Sequence, residues 1–143
     1  MSLYAILYTS DALHPPSADD LAGLLARARQ SNAEAGVTGQ LVYIGRGEGG
    51  YQGAGRQPGH FVQWLEGPEP GVCALYRQIE EDPRHRIRHV AYAGPIRHRL
   101  FPTWTMAFRR ADYNPGAASL ELARLLELAE VPDSGSLPPA PTL

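Results

Sequence analysis

One amide side chain stands out in the stretch from His60 to Gly67, because it interrupts an otherwise apolar strand pattern. Side chains alternate between the two faces of a strand, so Gln63 shares a face with Phe61 and Leu65. A primary amide has two donors and two acceptor lone pairs, and leaving it buried and unpaired costs about 1–3 kcal/mol. We therefore expect Gln63 to meet a polar partner. The octapeptide alone favours a neighbouring loop or an exposed sheet face.

The other chemically active side chains lack the spacing that catalysis or metal binding requires. Asp82, His85, His89 and His98 lie close enough in sequence to suggest a metal site. Pro83 prevents a helix from setting the first three on one face, so we predict no metal site. Cys73 falls inside a helical pattern, away from the helix N-terminus that would activate a thiol. The acid at Glu66 fits a capping or solvated role, and no spacing proves catalysis.

Composition narrows the class of protein. The chain has 143 residues and a formal net charge of −2, with both signs mixed along the sequence. This balance argues against a nucleic-acid or membrane surface as partner. The single cysteine excludes an intramolecular disulfide and a cysteine-rich zinc site. No charged leader with an apolar run opens the chain, and no apolar stretch approaches membrane-spanning length, so we expect one cytoplasmic globular domain.

Hydrophobic periodicity predicts five strands and three helices. The predicted strands cover residues 3–10, 37–44, 61–66, 85–93 and 101–109. The first helix begins with the capping-box-like pair Ser17 and Asp20 and ends near Gly36. The second begins at 67–70 and ends before Pro83, and the third covers 118–130. Residues 45–59 contain seven glycines and are predicted to form a long hairpin connection.

The order of these elements is β-α-β-β-α-β, followed by one further strand and a helix. We predict an α+β fold of the ferredoxin-like type, an antiparallel sheet with two helices on one side. The third helix carries an apolar stripe that suits the opposite, otherwise bare sheet face. The boundaries are then a main domain over 1–110, a C-terminal capping helix over 111–131 and a disordered tail over 132–143, which holds four prolines.

Several short fragments, in this order, resemble one known family, the BLUF domains, which sense blue light using FAD. The resemblance runs from Leu3 to about Phe108. It rests on Tyr8-Thr9-Ser10, on Asn32 before Gly36-Val37-Thr38-Gly39, on Phe61 to Gly67, on Asp82-Pro83-Arg84-His85 and on Arg99 to Met106. The sequence departs from the family in the long connection 45–59 and in Ser31, where the family often has a larger polar residue.

The resemblance implies a role for each matching residue. In the family the flavin ring lies between the two helices, and a glutamine bridges a tyrosine to the flavin edge, roles that fall on Gln63 and Tyr8. Residues expected around the flavin are Ser31, Asn32, Asp82, Arg84 and His85, with Asn32 on the pyrimidine side. Trp104 and Met106 match residues whose positions respond to light, and we expect both on one face of the fifth strand. Expected apolar walls are Leu25, Ala28, Val72 and Ile79.

The resemblance therefore implies a photoreceptor without substrate turnover, in which Tyr8 donates an electron and a proton and Gln63 rearranges its hydrogen bonds. We expect noncovalent FAD, an unidentified downstream signalling protein and a homo-oligomer, with the helix over 118–130 as contact surface. Two alternatives remain. A small acyl-phosphate hydrolase needs an anion-cradling loop after strand one, for which residues 9–12 are poor candidates. A flavin-free interaction domain would bind protein through its sheet or a helix.

Overall fold

The computed structural model describes residues 2–14, 16–46 and 57–131, and the predicted tail over 132–143 lies outside them. Five strands and three helices follow one another along the chain. The strands are β1 Leu3–Ala12, β2 Thr38–Arg46, β3 Gln57–Pro68, β4 His85–Ile96 and β5 Ala107–Asp112. The helices are α1 Ala18–Ala35, α2 Glu69–Glu80 and α3 Ala117–Ala129. The predicted ferredoxin-like order with an added strand and a C-terminal helix is confirmed.

The strands form one sheet in the order β4-β1-β3-β2-β5, with β3 at its centre. Strands β1 to β4 pair antiparallel, as predicted, but β5 pairs parallel to β2. The expectation of a wholly antiparallel sheet is therefore wrong at this edge. The alternation of apolar residues shows which side chains share a face of the sheet, but it does not show in which direction a strand runs. The direction of β5 depends on the path of the connection between β4 and β5, which this pattern does not predict.

Each face of the sheet packs against its own helices. On one face, α1 and α2 cover strand residues that include Ile6, Leu41 and Leu65. On the other, α3 buries Leu125 and Leu126 against residues that include Leu7, Val62 and Trp64. The predicted covering of the bare face by the third helix is confirmed. Because β3 lies between these two layers, its alternating residues contribute to both cores.

The ends of α1 follow the predicted signals. The Ser17 hydroxyl accepts a hydrogen bond from the Asp20 amide, and the Asp20 carboxylate accepts one from the Ser17 amide, each at 3.0 Å. Gly36 ends the helix with φ of 73°, a left-handed conformation that glycine adopts without steric cost. This firm stop places Asn32 in the last turn of α1, close to the start of β2.

Several predicted strand boundaries are wrong, and those next to the glycine-rich connection and at the fifth strand differ most. Strands β2 and β3 extend into the glycine-rich region, so the connection leaves the ladder only after Arg46 and rejoins it at Gln57. Residues 47–56 lie outside the described part of the chain. The fifth strand begins at Ala107 rather than at 101, because the backbone before it turns. There the Trp104 amide donates to the Phe101 carbonyl at 3.2 Å, so Trp104 and Met106 lie before the strand.

Candidate functional site

The site is built on a row of residues that crosses three strands. Tyr8 on β1 is the register partner of Gln63 on β3, which in turn pairs with Leu41 on β2. Side chains of paired residues lie on the same face of a sheet, here the face covered by α1 and α2. Tyr8 is 2% exposed and Gln63 is 5% exposed. The Tyr8 hydroxyl donates a short hydrogen bond to Oε1 of Gln63, which provides the polar partner that the amide was expected to need.

The amide nitrogen of Gln63 points to a weaker partner. Nε2 donates to the Sδ atom of Met106 at 3.6 Å. A thioether sulfur is a weak acceptor, so this bond holds the amide less firmly than the bond from Tyr8. Gln63 therefore connects a strong donor on β1 to a residue just before β5, and its nitrogen is the end that can exchange partners at low cost.

The environment of Tyr8 keeps its hydroxyl protonated. Complete burial raises the pKa of Tyr8 well above its usual value, and the charges of Tyr76 and Asp82 raise it further. The ring of Tyr76 packs edge-on against that of Tyr8, with 5.7 Å between centroids. Burial likewise raises the pKa of Tyr76, to about 12. A protonated phenol next to an amide is a hydrogen-bond donor in the resting site, with its proton available along that bond.

Helix α1 holds the segment that carries Met106. Asn32 is buried, and its Nδ2 atom donates to the Thr105 carbonyl at 2.5 Å. One turn earlier, Nε of Arg29 donates to the Met106 carbonyl at 3.2 Å. Asn32 was expected beside a flavin. Its hydrogen bond also holds the backbone of Thr105, the residue before Met106, whose sulfur contacts Gln63.

The turn between α2 and β4 supplies the third polar group. The Asp82 carboxylate accepts hydrogen bonds from the backbone amide and the guanidinium of Arg84, each at 2.9 Å to Oδ1. These bonds to Arg84 hold the pKa of Asp82 below its usual range. The His85 Nε2 atom lies 2.7 Å from the Ile79 carbonyl, which can only accept, so Nε2 carries a proton. The other ring nitrogen, Nδ1, is 2.8 Å from the Ser10 hydroxyl.

These groups surround one cavity of about 540 Å³ between α1, α2 and the sheet. That volume lies within the usual range for small-molecule sites. Its floor contains Tyr8, Gln63, Leu41 and Phe61. Apolar side chains of the two helices form the walls, and polar residues lie at the mouth. The wall residues are Leu21, Leu24, Ala28, Leu75 and Ile79, and the mouth residues include His14, Asp20, Arg27, Ser31, Gln78 and Arg84.

The structure brings most of the predicted residues together. Every residue expected around a flavin lines this cavity: Ser31, Asn32, Gln63, Asp82, Arg84 and His85. Of the four expected walls, Ala28 and Ile79 line the cavity, while Leu25 and Val72 are buried in the core. Trp104 is 57% exposed and lies outside the cavity lining, while Met106 is 1% exposed and contacts Gln63. The expectation that these two residues share one strand face is therefore wrong.

Sequence reasoning missed four residues of the polar mouth, namely His14, Asp20, Arg27 and Gln78. The residues that α1 contributes to the cavity recur at helical spacing, from Asp20 and Leu21 through Leu24, Arg27 and Ala28 to Ser31 and Asn32. This stripe continues the apolar pattern that predicted the helix, so extending it through its polar members would have identified Arg27. His14 precedes the helix and gave no periodic signal.

No group of three or more His, Cys, Asp or Glu residues in the described part of the chain is arranged to hold a metal ion. None of the described helices combines the length and the apolar character needed to cross a membrane.

The sequence matches the family model for BLUF, described as sensors of blue light using FAD, over residues 3–107. The chain belongs to the BLUF family. The match covers all elements that build the cavity, from β1 to the start of β5. The chain is thus a BLUF photosensory domain of a flavin-using family, followed by α3.

Known relatives include larger proteins. The chain is 33% identical over 106 residues to the photoactivated adenylate cyclase subunit beta of Euglena gracilis, covering 73% of this chain and 11% of that protein. It therefore spans about a tenth of the length of such curated relatives. Among solved structures, it is similar to BlrB, a BLUF protein in its dark state, with 31% identity and a TM-score of 0.57 over 89% of this chain and 83% of that chain.

A second solved relative is the BlrP1 protein of Klebsiella pneumoniae, with 28% identity and a TM-score of 0.60. The similarity covers 85% of this chain and 28% of that chain. In both the cyclase subunit and BlrP1, the similar region is a small part of a longer protein. The BLUF domain described here thus resembles the sensory part of larger proteins and, in BlrB, most of a short one.

Proposed function

We propose that this BLUF domain is a blue-light photoreceptor that binds FAD noncovalently and signals to another protein without turning over a substrate. The observation that carries the proposal is the buried hydrogen bond from Tyr8 to Gln63 on the cavity floor. A buried phenol that already donates to an amide, at the base of a cavity of flavin-like dimensions, is the arrangement that a light-driven hydrogen-bond switch requires.

The residues present fit a flavin. A planar ring has apolar walls from α1 and α2, and the amides of Gln63 and Asn32 offer donors and acceptors to its polar edge. Gln63 Nε2 binds only a thioether among the described residues, so it retains the capacity to bind a better acceptor. His14 and Arg27 at the mouth supply basic groups for phosphates, which supports a phosphorylated flavin such as FAD.

The mechanism follows from the two side chains on the floor. A flavin held here would supply the absorption of blue light and, when excited, an electron acceptor. Tyr8 would donate one electron to it, and the Tyr8 O–H bond would break as its proton passes along the hydrogen bond to Oε1 of Gln63. With Tyr8 no longer a donor, the Gln63 amide would rearrange, and its nitrogen would exchange the weak bond to Met106 for another partner. Return of the electron and the proton to Tyr8 would restore the resting site, so nothing is consumed. A net hydrogen bond is worth only about 0.5–1.5 kcal/mol, so the switch biases a second element modestly.

The C-terminal helix α3 carries the signal to the partner in this proposal. Residues 1–110 hold the flavin, and residues 111–131, which contain α3, pass the signal on. Leu120 and Leu128 on α3 are 67% and 50% exposed, and they offer an apolar surface for a signalling protein or for a second copy in a homo-oligomer. A location in the cytoplasm and the absence of catalytic turnover belong to the same proposal.

The deciding experiment is the visible absorption spectrum of the purified protein before and after blue light. We expect a yellow protein whose flavin band shifts reversibly to the red. Denaturation should release the pigment, because Cys73 lies on α2 and does not line the cavity. Chromatography of the released pigment then distinguishes FAD from FMN. A colourless protein that does not bind added FAD would contradict the proposal and favour an acyl-phosphate hydrolase or a flavin-free interaction domain.

Two variants test the assigned pair. Tyr8→Phe and Gln63→Leu should retain flavin and lose the reversible red shift, because each removes one end of the hydrogen bond. The matched control is Tyr92→Phe, which removes a buried tyrosine hydroxyl that donates to the Pro95 carbonyl away from the cavity. A normal photocycle in either floor variant would show that the pair is wrongly assigned.

A further inference from the structure

A second polar network lies behind the flavin cavity, on the opposite face of β3. Glu66 was expected to be a capping or solvated acid, but its side chain is completely buried. Its Oε1 atom accepts hydrogen bonds from Trp64 Nε1 at 2.8 Å and from the Leu100 amide at 2.6 Å. Its Oε2 atom accepts from the Thr38 hydroxyl and the Phe101 amide, both at 2.7 Å. All four acceptor positions of a carboxylate are thus used.

Arg99 is linked to this carboxylate through the Thr38 hydroxyl. Arg99 donates from Nη1 to the Thr38 hydroxyl at 2.9 Å and from Nη2 to the Gly36 carbonyl at 3.0 Å. The Thr38 hydroxyl therefore accepts from Arg99 and donates to Glu66. A buried carboxylate without donors is strongly disfavoured, so Glu66 and its donors hold one another in place. Two of those donors are consecutive backbone amides of the connection between β4 and β5.

That connection, residues 97–106, ends at the sulfur that contacts Gln63. Its first half is held by Glu66 through Leu100 and Phe101. Its second half is held by contacts from α1 and β2, among them the Gly39 amide on the Trp104 carbonyl at 3.1 Å. The connection pairs with no strand, so these side-chain and single backbone contacts set its path. Glu66 therefore holds the first half of the connection whose far end carries Met106, and this contact resists movement of the connection in either direction.

We propose that Glu66 is a positioning residue that holds the β4–β5 connection so that Met106 stays on Gln63, and that it thereby sets the lifetime of the light-induced state. The inference rests on the proposed function, because it needs Gln63 to rearrange in light. Glu66 itself takes no part in the photochemistry, since it lies on the other face of the sheet from Gln63 and outside the cavity lining.

The test replaces Glu66 by glutamine. Glu66→Gln preserves shape but has one acceptor oxygen and two new donors, so two of the four donors lose their partner. Flavin binding and the amplitude of the red shift should persist, because the cavity floor is unchanged. Return to the dark spectrum should become roughly tenfold faster or more, since losing charge-assisted hydrogen bonds lowers the resistance of the connection to movement. In darkness, backbone amides of 97–106 should already exchange hydrogen faster than in the wild type.

A control and a milder variant accompany it. Asp11→Asn makes the same carboxylate-to-amide change at a site bonded to His60 and Arg88, and its recovery rate should match the wild type. Thr38→Val removes one donor from Glu66 and one acceptor from Arg99, and it should accelerate recovery by a smaller factor. If Glu66→Gln does not retain flavin, Thr38→Val decides the question.

The outcomes separate the two proposals. A wild-type protein without a red shift contradicts the proposed function itself. A wild-type protein with a normal red shift, together with wild-type recovery and wild-type dark exchange in Glu66→Gln, overturns only the role of Glu66. Equal acceleration in Asp11→Asn would also overturn it, because the effect would then follow from any lost carboxylate.

Discussion

Raising the pH above 10 should destabilise this BLUF domain, and replacing Tyr8 by phenylalanine should reduce that loss. Burial raises the pKa of Tyr8 above its unfolded value of 10.0. The folded state therefore retains a proton that the unfolded state releases. The stabilisation is complete below pH 10 and is lost as the pH rises, by about 1.4 kcal/mol for each unit above 10.

The magnitude can be worked out for Tyr8 alone. Between about pH 10 and pH 12 its burial should remove on the order of 2 kcal/mol of unfolding free energy, a large part of the roughly 5–15 kcal/mol typical of a domain. Tyr76, whose pKa is raised to about 12, acts in the same direction. All thirteen of the basic Lys-or-Arg residues are arginine, so no lysine titrates in this window. Tyrosines thus dominate the alkaline limb of the stability curve.

Tyr8→Phe changes this curve in two opposite ways. At neutral pH it leaves Oε1 of Gln63 without its donor, which should cost about 1–3 kcal/mol. Above pH 10 it removes the titration penalty of Tyr8, so the difference in unfolding free energy from the wild type should narrow by on the order of 2 kcal/mol by pH 12.

Urea unfolding followed by far-ultraviolet circular dichroism, at a fixed saturating flavin concentration and pH 8 to 12, measures this difference. Flavin is held constant because any ligand of the native state adds to its stability. A Tyr8→Phe curve that remains parallel to the wild type across the window would refute the reasoning, because Tyr8 would then titrate equally in both states.

Three further outcomes are expected. Asn32→Ala should weaken flavin retention in a dialysis assay, because it removes both a cavity amide and the support of the Thr105 carbonyl, whereas the exposed Asn114→Ala should retain flavin. Trp104→Phe should leave the red shift unchanged, because Trp104 is 57% exposed outside the cavity lining. Hydrogen exchange should increase in light within 104–130, and a change confined to 45–59 would show that the signal leaves elsewhere.

Local patterns predicted most of the site because its residues lie on regular elements. Alternation along β3 correctly separated Gln63 from Trp64, and the capping box correctly set the start of α1. The sequence could not reveal that Trp104 is exposed while Met106 is buried, since their spacing is equally suited to a strand. The difference depends on long-range contacts, above all those of Glu66 with the connection. The parallel pairing of β5 with β2 could not be predicted either, because it also depends on contacts between residues far apart in the sequence.

The central position of β3 determines where this chain tolerates a change in length. Its pairing with β2 is continuous from Thr38 opposite Glu66 to Ile44 opposite His60. Residues added between 46 and 57 leave every one of these pairs in register. A one-residue slip of β3 against β1 and β2 would instead exchange the two faces of the strand and turn Gln63 toward α3 and Trp64 toward the flavin cavity. The Gln63 amide would then face away from Tyr8, although the composition of the chain is unchanged.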